Sequence, residues 1–343
     1  MSTLRPYRSP FRAIAKAITL MFAVAVSFAA SAETAYLFSY FSDKGFGGRS
    51  GEASGLHLAY SYDGLTWTAL NDDKPLLVPR VGKDKLMRDP SICQGPDGTF
   101  HMVWTSSWHD RIIGYASSKD LVHWSAQRAL PVMAGEPAAR NCWAPELTYS
   151  PDEDLFYIYW ATTIPGRHAP IQDMETKESK LNHRIYCTTT RDFETFSPTR
   201  LWFDPGFSAI DAAIVRDEKG GEWVMAIKNE NHTPVEKNIR IVRTKRLADG
   251  FPPSEVSDPI TGSWVEGPSP LFVGDTLYVY FDRYRAHCYG AVRSLDRGRT
   301  WSEVPAAELS FPKGTRHGTA FAVDSSIVES LKQLTPSTPK EVK

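Results

Sequence analysis

The chain has 343 residues, with 39 Lys and Arg against 40 Asp and Glu, for a formal net charge of −1. A near-neutral chain lacks the basic surface that phosphate backbones require, which excludes nucleic acid as a partner. Aromatic residues make up 12%, ten of them Trp, which serves a large core and sugar stacking alike, so composition does not divide those two uses.

Arg5, Arg8, Arg12 and Lys16 precede an apolar run over 17–30 that ends in Ala30-Ser31-Ala32. A basic start, a short apolar run and a small-x-small end predict a signal peptide over 1–32, and hence a secreted or periplasmic protein. The run is short for a bilayer span and no later run is long enough, so no membrane partner is expected after cleavage. Export permits disulfides. The wide, irregular spacing of Cys93, Cys142, Cys187 and Cys288 matches no zinc pattern or small disulfide scaffold, and free, buried thiols are expected.

A repeat follows. Gly55–Thr68, Ile113–Ser125, Arg184–Ser197 and Tyr289–Ser302 each read as an alternating strand, a Ser or Thr, an Asp-centred turn and an aromatic residue. Asn238–Phe251 is a weaker copy. Asp and Gly suit such turns through side-chain hydrogen bonds and tolerance of positive φ. Asp63, Asp120, Asp192 and Asp296 are therefore read as turn residues, and the aromatics as packing between neighbouring sheets. A second element alternates with the first. Asp89–Ser106, Ala144–Ala161, Asp211–Lys228 and Gly267–Tyr284 each read as a short strand, a tight turn and a longer strand rich in Val, Tyr, Trp and Phe, which is a hairpin pattern.

Hairpin plus hairpin makes a four-stranded blade, and repetition around a ring makes a β-propeller rather than a two-sheet sandwich. The prediction is an all-β, five-bladed propeller over 33–326. Its fifth blade combines an inner strand near His317–Val323 with outer strands at Tyr36–Phe41 and Leu56–Ser61, which closes the ring and hides its edges. Residues 327–343 are expected as a polar, flexible tail, and the protein as a monomer.

In a propeller the inner strands start at one mouth of the channel. Those starts carry Arg88-Asp89-Pro90, Trp143-Ala144-Pro145-Glu146, Ile210-Asp211-Ala212 and Val265-Glu266-Gly267. An Asp before Pro is often only a turn residue, and Glu146 could serve a neighbouring backbone or Arg. Recurrence of Asp89, Asp211 and Glu266 at equivalent blade positions favours function. Converging carboxylates repel one another and favour a proton on at least one, as general acid catalysis needs.

The segments RDPSI at 88–92, WAPEL at 143–147, AIDAAIV at 209–215, WVEGPSP at 264–270 and RHGTAF at 316–321 resemble glycoside hydrolase family 43, across essentially the whole chain after residue 32. The resemblance implies a five-bladed propeller that cleaves glycosides with inversion. It implies Asp89 as general base, Glu266 as general acid and Asp211 as the residue that orients the acid and tunes its proton affinity. It also implies that His317 sits near the channel and, in some members, helps hold a metal ion through water; a satisfied core His is the equal alternative. Trp108, Trp143, Glu146, Arg283, Arg285 and His317 are candidates for the sugar pocket. No cofactor is expected to be required. A structural calcium or sodium ion in the channel stays open, with no dedicated ligand loop visible. The polar connection 163–184 is read either as an overhang above the active face or as a mobile loop.

Ser294–Trp301 fits the Asp-box pattern of sialidases, which speaks to architecture and not to chemistry. A sialidase would need six blades and an arginine triad. A non-catalytic sugar-binding propeller would not need three acids at blade starts, and fructan-cleaving relatives place their nucleophilic Asp nearer the N-terminus. The substrate is an oligo- or polysaccharide. The expectation is an exo-acting α-L-arabinofuranosidase on plant side chains, with β-D-xylosidase or galactofuranosidase as alternatives.

Overall fold

A computed structural model describes residues 1–2, 33–42, 55–168 and 181–333. The predicted signal peptide, most of the polar connection 163–184 and the end of the expected tail lie outside the described residues.

Among the described residues, nineteen strands form the fold. They are β1 (Thr34–Ser42), β2 (His57–Ser61), β3 (Thr68–Ala69), β4 (Arg88–Gln94), β5 (Phe100–Thr105), β6 (Ile113–Ser118) and β7 (Arg128–Leu130). Next come β8 (Trp143–Ser150), β9 (Leu155–Thr163), β10 (His183–Thr190), β11 (Arg200–Phe203), β12 (Ala209–Asp217), β13 (Glu222–Asn229) and β14 (Asn238–Thr244). The last are β15 (Glu266–Val273), β16 (Thr276–Arg283), β17 (Cys288–Ser294), β18 (Ser302–Glu303) and β19 (Thr315–Asp324). They make five antiparallel sheets, four of four strands and one of three. Blade I is β4 to β7, blade II β8 to β11, blade III β12 to β14 and blade IV β15 to β18. Blade V has the order β19-β1-β2-β3, so both ends of the fold share one sheet as expected. Blade III lacks a formal fourth strand, and the 257–260 segment takes its place through Ser257 N–H to Ile241 O and Ile260 N–H to Ile239 O, each at 2.8 Å.

Alternation along the strands explains the ring. In β9, Tyr157, Tyr159 and Ala161 pack towards blade III, while Phe156, Ile158 and Trp160 pack towards blade I. In β13, Trp223, Met225 and Ile227 face blade II and Val224 and Ala226 face blade IV. Five apolar clusters result, one in each gap between neighbouring blades. Period-two side chains bury both faces of a sheet only when it has a neighbour on each side.

The repeated turns are built as the sequence implies. Asp63 Oδ1 accepts from the N–H of Leu65 and Thr66, both at 2.7 Å, and Ser61 Oγ accepts from Gly64 N–H at 2.9 Å. Asp120 and Ser118 repeat this arrangement, as do Asp192 and Thr190. Trp67 Nε1 donates to Gly64 O, and the Trp67 ring is buried between blades IV and V. The third copy departs from the pattern. Phe196 is 37% exposed, and Phe193 is the buried ring there, stacked on His101 and Tyr115.

Two further expectations are corrected. Residues Ser325–Lys332 form a helix, α1, capped by Asp324, whose carboxylate accepts from Ser326 N–H. Val328 and Leu331 are buried with Ala35, Leu37 and Val323 between blades V and I, so residues 327–332 are part of the fold and not of a tail. The four cysteines are unpaired, but only Cys142 and Cys187 are buried, Cys93 is half-buried and Cys288 is exposed. Cys288 opens the outer half of blade IV, beyond the gap clusters.

Leu331→Ala removes a fully buried branched side chain and is expected to lower unfolding free energy by about 2–3 kcal/mol. Urea denaturation checks this, and a change of a few tenths of a kcal/mol would return the helix to the status of a loose tail.

Candidate active site

Every inner strand begins with the same irregularity. Pairing with the second strand slips between Arg88 and Ser91, Trp143 and Glu146, Ile210 and Ala213, and Glu266 and Ser269. In blade V it slips where Phe41 pairs with Arg316 and Tyr40 with Gly318, leaving His317 between them. Such bulges bend a strand and re-aim its side chains. In blades I to IV the second residue of the bulge has positive φ: Asp89 at 53°, Ala144 at 46°, Asp211 at 55° and Gly267 at 58°. Asp and Gly tolerate this region best, through a short polar side chain or none.

Aligning the bulges corrects one expectation. Asp89, Asp211 and His317 hold the same bulge position in blades I, III and V. Glu266 stands one residue earlier, matching Arg88, Trp143, Ile210 and Arg316, and its bulge position is Gly267. A Cβ there would lie 2.5 Å from His317 Cγ, so the close approach of blades IV and V requires glycine.

These residues converge on a pocket of about 200 Å³, lined by Arg88, Asp89, Trp108, Trp143, Asp211, Lys228, Glu230, Glu266 and His317 among others. At its floor, His317 Nδ1 is 3.2 Å from Asp89 Oδ1 and 4.0 Å from Asp211 Oδ1. Thr105 Oγ1 donates to Asp89 Oδ2 at 2.8 Å and accepts from Ala144 N–H. Asp211 Oδ2 accepts from Gly267 N–H at 3.1 Å, which ties it to the residue after Glu266. Each oxygen of Glu266 faces one cation, Oε2 with Lys228 Nζ at 3.3 Å and Oε1 with Arg316 Nη2 at 3.4 Å. Arg316 is backed by buried Asp282, which accepts from its Nε at 2.5 Å. Lys228 also meets Glu230 at 2.7 Å and lies over the Tyr284 ring.

Proton affinities follow from this crowding. Burial raises Asp211, with Glu266 and Asp89 adding to the rise, and His317 and Lys228 opposing it. Burial pulls His317 down, but Asp89, Asp211, Glu266 and Glu146 outweigh it and hold the imidazole above its ordinary value. Burial likewise opposes the charge of Lys228, and Glu230, Glu266 and Asp211 more than restore it. Asp282 is pushed up to about 6 by burial, against the pull of Arg316.

Trp108 and Trp143 line the pocket as expected, their rings edge to face at 6.1 Å. Trp143 Nε1 donates to Trp108 O at 2.9 Å. Three expected sugar contacts are not in the lining. Glu146 lies buried in the channel, accepting from Ser91 Oγ and Thr319 Oγ1, each at 2.6 Å. It follows the bulge, and the strand carries it away from the mouth. Arg283 pairs with Glu303 at the outer end of blade IV, and exposed Arg285 lies 3.0 Å over the Trp264 ring. Both come after the residue opposite Glu266, where the chain has turned outward. Arg316, Lys228 and Asp282 carry the charge balance instead. Lys228 and Asp282 sit across the hairpin from the first bulge residue, as does Thr105, so aligning hairpin partners with blade starts would have found them.

Among the described residues, no group of three or more His, Cys, Asp or Glu has the spacing of metal ligands. His317 already faces carboxylates through Nδ1. This donor set does not fit a directly coordinated cation, and no step below passes through one.

The chain matches the glycosyl hydrolase family 43-related family, described as a probable glycosyl hydrolase domain, over residues 32–329, and it belongs to that family. An alpha-L-arabinofuranosidase of Bifidobacterium longum subsp. longum is 28% identical over 160 residues, which is 42% of this chain and 15% of that enzyme. A point variant of the GH43 protein BlXynB from Bacillus licheniformis superposes with a TM-score of 0.51 at 19% identity, covering 71% of this chain and 47% of that one. A thermostable family-43 glycoside hydrolase does so with a TM-score of 0.51 at 16% identity, covering 67% of this chain and 78% of that one. These two superpositions bear out the propeller. The chain thus spans a small part of the arabinofuranosidase and about half of the BlXynB chain.

Glu146 gives a test of the buried charge. Burial raises it to about 7 from an ordinary 4.5. The native state therefore binds its proton more tightly than the unfolded chain does, and the stability this contributes below pH 4.5 is lost as pH rises through about 7. Relative to Glu146→Gln, the wild type should lose up to about 3 kcal/mol between those limits. Parallel pH-stability curves for the two proteins would show instead that Glu146 is not held neutral.

Proposed function

We propose that the chain hydrolyses the terminal glycosidic bond of an oligo- or polysaccharide with inversion of configuration. The observation that carries this reading is the convergence of Asp89, Asp211, Glu266 and His317, from four different blades, on one small pocket. Inversion needs an acid on one side of the sugar and a base with room for water on the other. Glu266 is the acid that gives its proton to the leaving oxygen, and Lys228 and Arg316 fix the plane of its carboxyl. Asp89 is the base that takes a proton from water, positioned by Thr105 and His317. Asp211 moves no proton. It holds the Gly267 amide and places negative charge beside the acid.

A volume of about 200 Å³ is small against the roughly 300–1,000 Å³ of pockets for drug-sized ligands. It suits one sugar unit and supports exo action. The sugar we favour is α-L-arabinofuranose, supported by the partial similarity to the Bifidobacterium enzyme. The same reading includes export from the cytoplasm, supported by the basic start and apolar run before Ala32.

Chromogenic α-L-arabinofuranoside and β-D-xyloside, offered to the wild type and to Glu266→Gln and Asp89→Asn, test the proposal. The arabinofuranoside should be cleaved, and each variant should lose about 100-fold or more in kcat/KM with its circular dichroism unchanged. Near-normal activity in either folded variant removes that residue from its role. Preference for the xyloside changes the sugar, and a first-formed product of retained configuration, read by NMR, excludes inversion. Cleavage of neither compound points to another linkage or to a propeller that binds sugar without cutting it.

A further inference from the structure

Three cationic side chains line the pocket, Arg88, Lys228 and His317. Two are committed to protein carboxylates, Lys228 to Glu230 and Glu266, and His317 to Asp89. Arg88 is different. Its guanidinium lies 4.4 Å over the ring of Phe41 and 4.8 Å over that of Trp108. Among the described residues it has no carboxylate within ion-pair distance and no side-chain hydrogen bond. It is half-buried, its stem covered and its charge without a protein counter-ion.

Counter-charge for the pocket acids does not explain it. Two aromatic rings flank the guanidinium carbon, while Arg316 and Lys228 pair with Glu266 and His317 faces Asp89 and Asp211. Ring contact leaves the N–H donors of the planar fork without a protein partner among the described residues, and such a fork matches a carboxylate with two parallel N–H bonds. The two rings also remove rotamer freedom in advance, which lowers the cost of binding.

We propose that Arg88 is a carboxylate-accepting subsite, so that the substrate is an acidic glycan with a uronic acid joined directly to the sugar in the pocket. The proposal rests on the glycoside-hydrolase reading and narrows its substrate class. The other pocket cations already face protein carboxylates, so acceptance of an anion depends on Arg88.

The test is calorimetric binding of D-glucuronate and D-galacturonate against D-glucose and D-galactose, to wild type, Arg88→Met and Arg88→Lys. Met keeps an unbranched stem between the two rings and removes the donors, whereas Lys keeps the charge and loses the fork. Wild type should bind the uronates about tenfold more tightly than their neutral counterparts, the scale of one charge-assisted contact. Arg88→Met should lose that preference, its ratio of uronate to neutral-sugar affinity falling to about one, and Arg88→Lys should keep part of it. The uronate affinity of wild type should fall with added salt, which gives a second reading should Arg88→Met not fold. Equal binding of acid and neutral sugars, no uronate binding, or a preference that survives in Arg88→Met overturns the proposal. Because binding needs no turnover, a uronate preference without hydrolysis of any glycoside would count against the hydrolase reading and leave the subsite standing. Hydrolysis without a uronate preference would do the reverse.

Discussion

The site depends on the pairing of β1 with β19. Nine residues of β1, Thr34 to Ser42, are matched against the chain segment that ends the propeller. This ladder sets the register of β19, and with it Arg316 and His317. A slip of one residue would turn every side chain of β19 to the other face. Arg316 would leave Glu266, and His317 would leave Asp89 and Asp211. The acids of blades I, III and IV would then share a mouth with much less positive charge between them. Buried like charges without compensation are costly, so ring closure and charge balance are one requirement and not two.

The charge arrangement has a layered logic. At the mouth, Glu266 sits between two cations, and each cation is tied to a second acid, Arg316 to Asp282 and Lys228 to Glu230. Below it, His317 spans Asp89 and Asp211. Deeper still, Glu146 receives only hydroxyl donors from Ser91 and Thr319, and burial there favours its neutral form. Among the described residues, Arg88 is the pocket cation that meets aromatic rings and no carboxylate.

Much of this was legible in the sequence, for identifiable reasons. Blade count followed from two alternating hairpin patterns, since period-two burial and Asp-centred turns leave direct marks such as Ser61-x-Asp63. Asp89, Asp211 and Glu266 stand out in the sequence because the blade starts recur, whereas His317 stands out only through the family resemblance. The offset of Glu266 does not stand out, because a bulge shifts register without changing composition, and only Gly267 hints at it. Nothing in the sequence marks Arg316 beside its neighbour His317, whereas Arg283 and Arg285 stand close to the blade IV hairpin. Sequence distance does not show where a strand leaves the mouth. The helix over Ser325–Lys332 was hidden by length: two turns carry only Val328 and Leu331 inward, too few for a periodic signal.

The apolar clusters in the five gaps carry a consequence for how the molecule comes into being. A stack of repeats open at both ends can order itself from any point and stay partly built. A ring cannot, because the sheet at each growing edge leaves one apolar face bare until its neighbour arrives. Here the last neighbour is β19, whose residues reach Asp324. Until that strand is available, β1 has its inner edge unpaired, and the gaps on either side of blade V stand open. Whether the chain emerges from a ribosome or is threaded through a membrane, it remains an unfinished arc, exposed to sticking and proteolysis, until nearly its whole length is through.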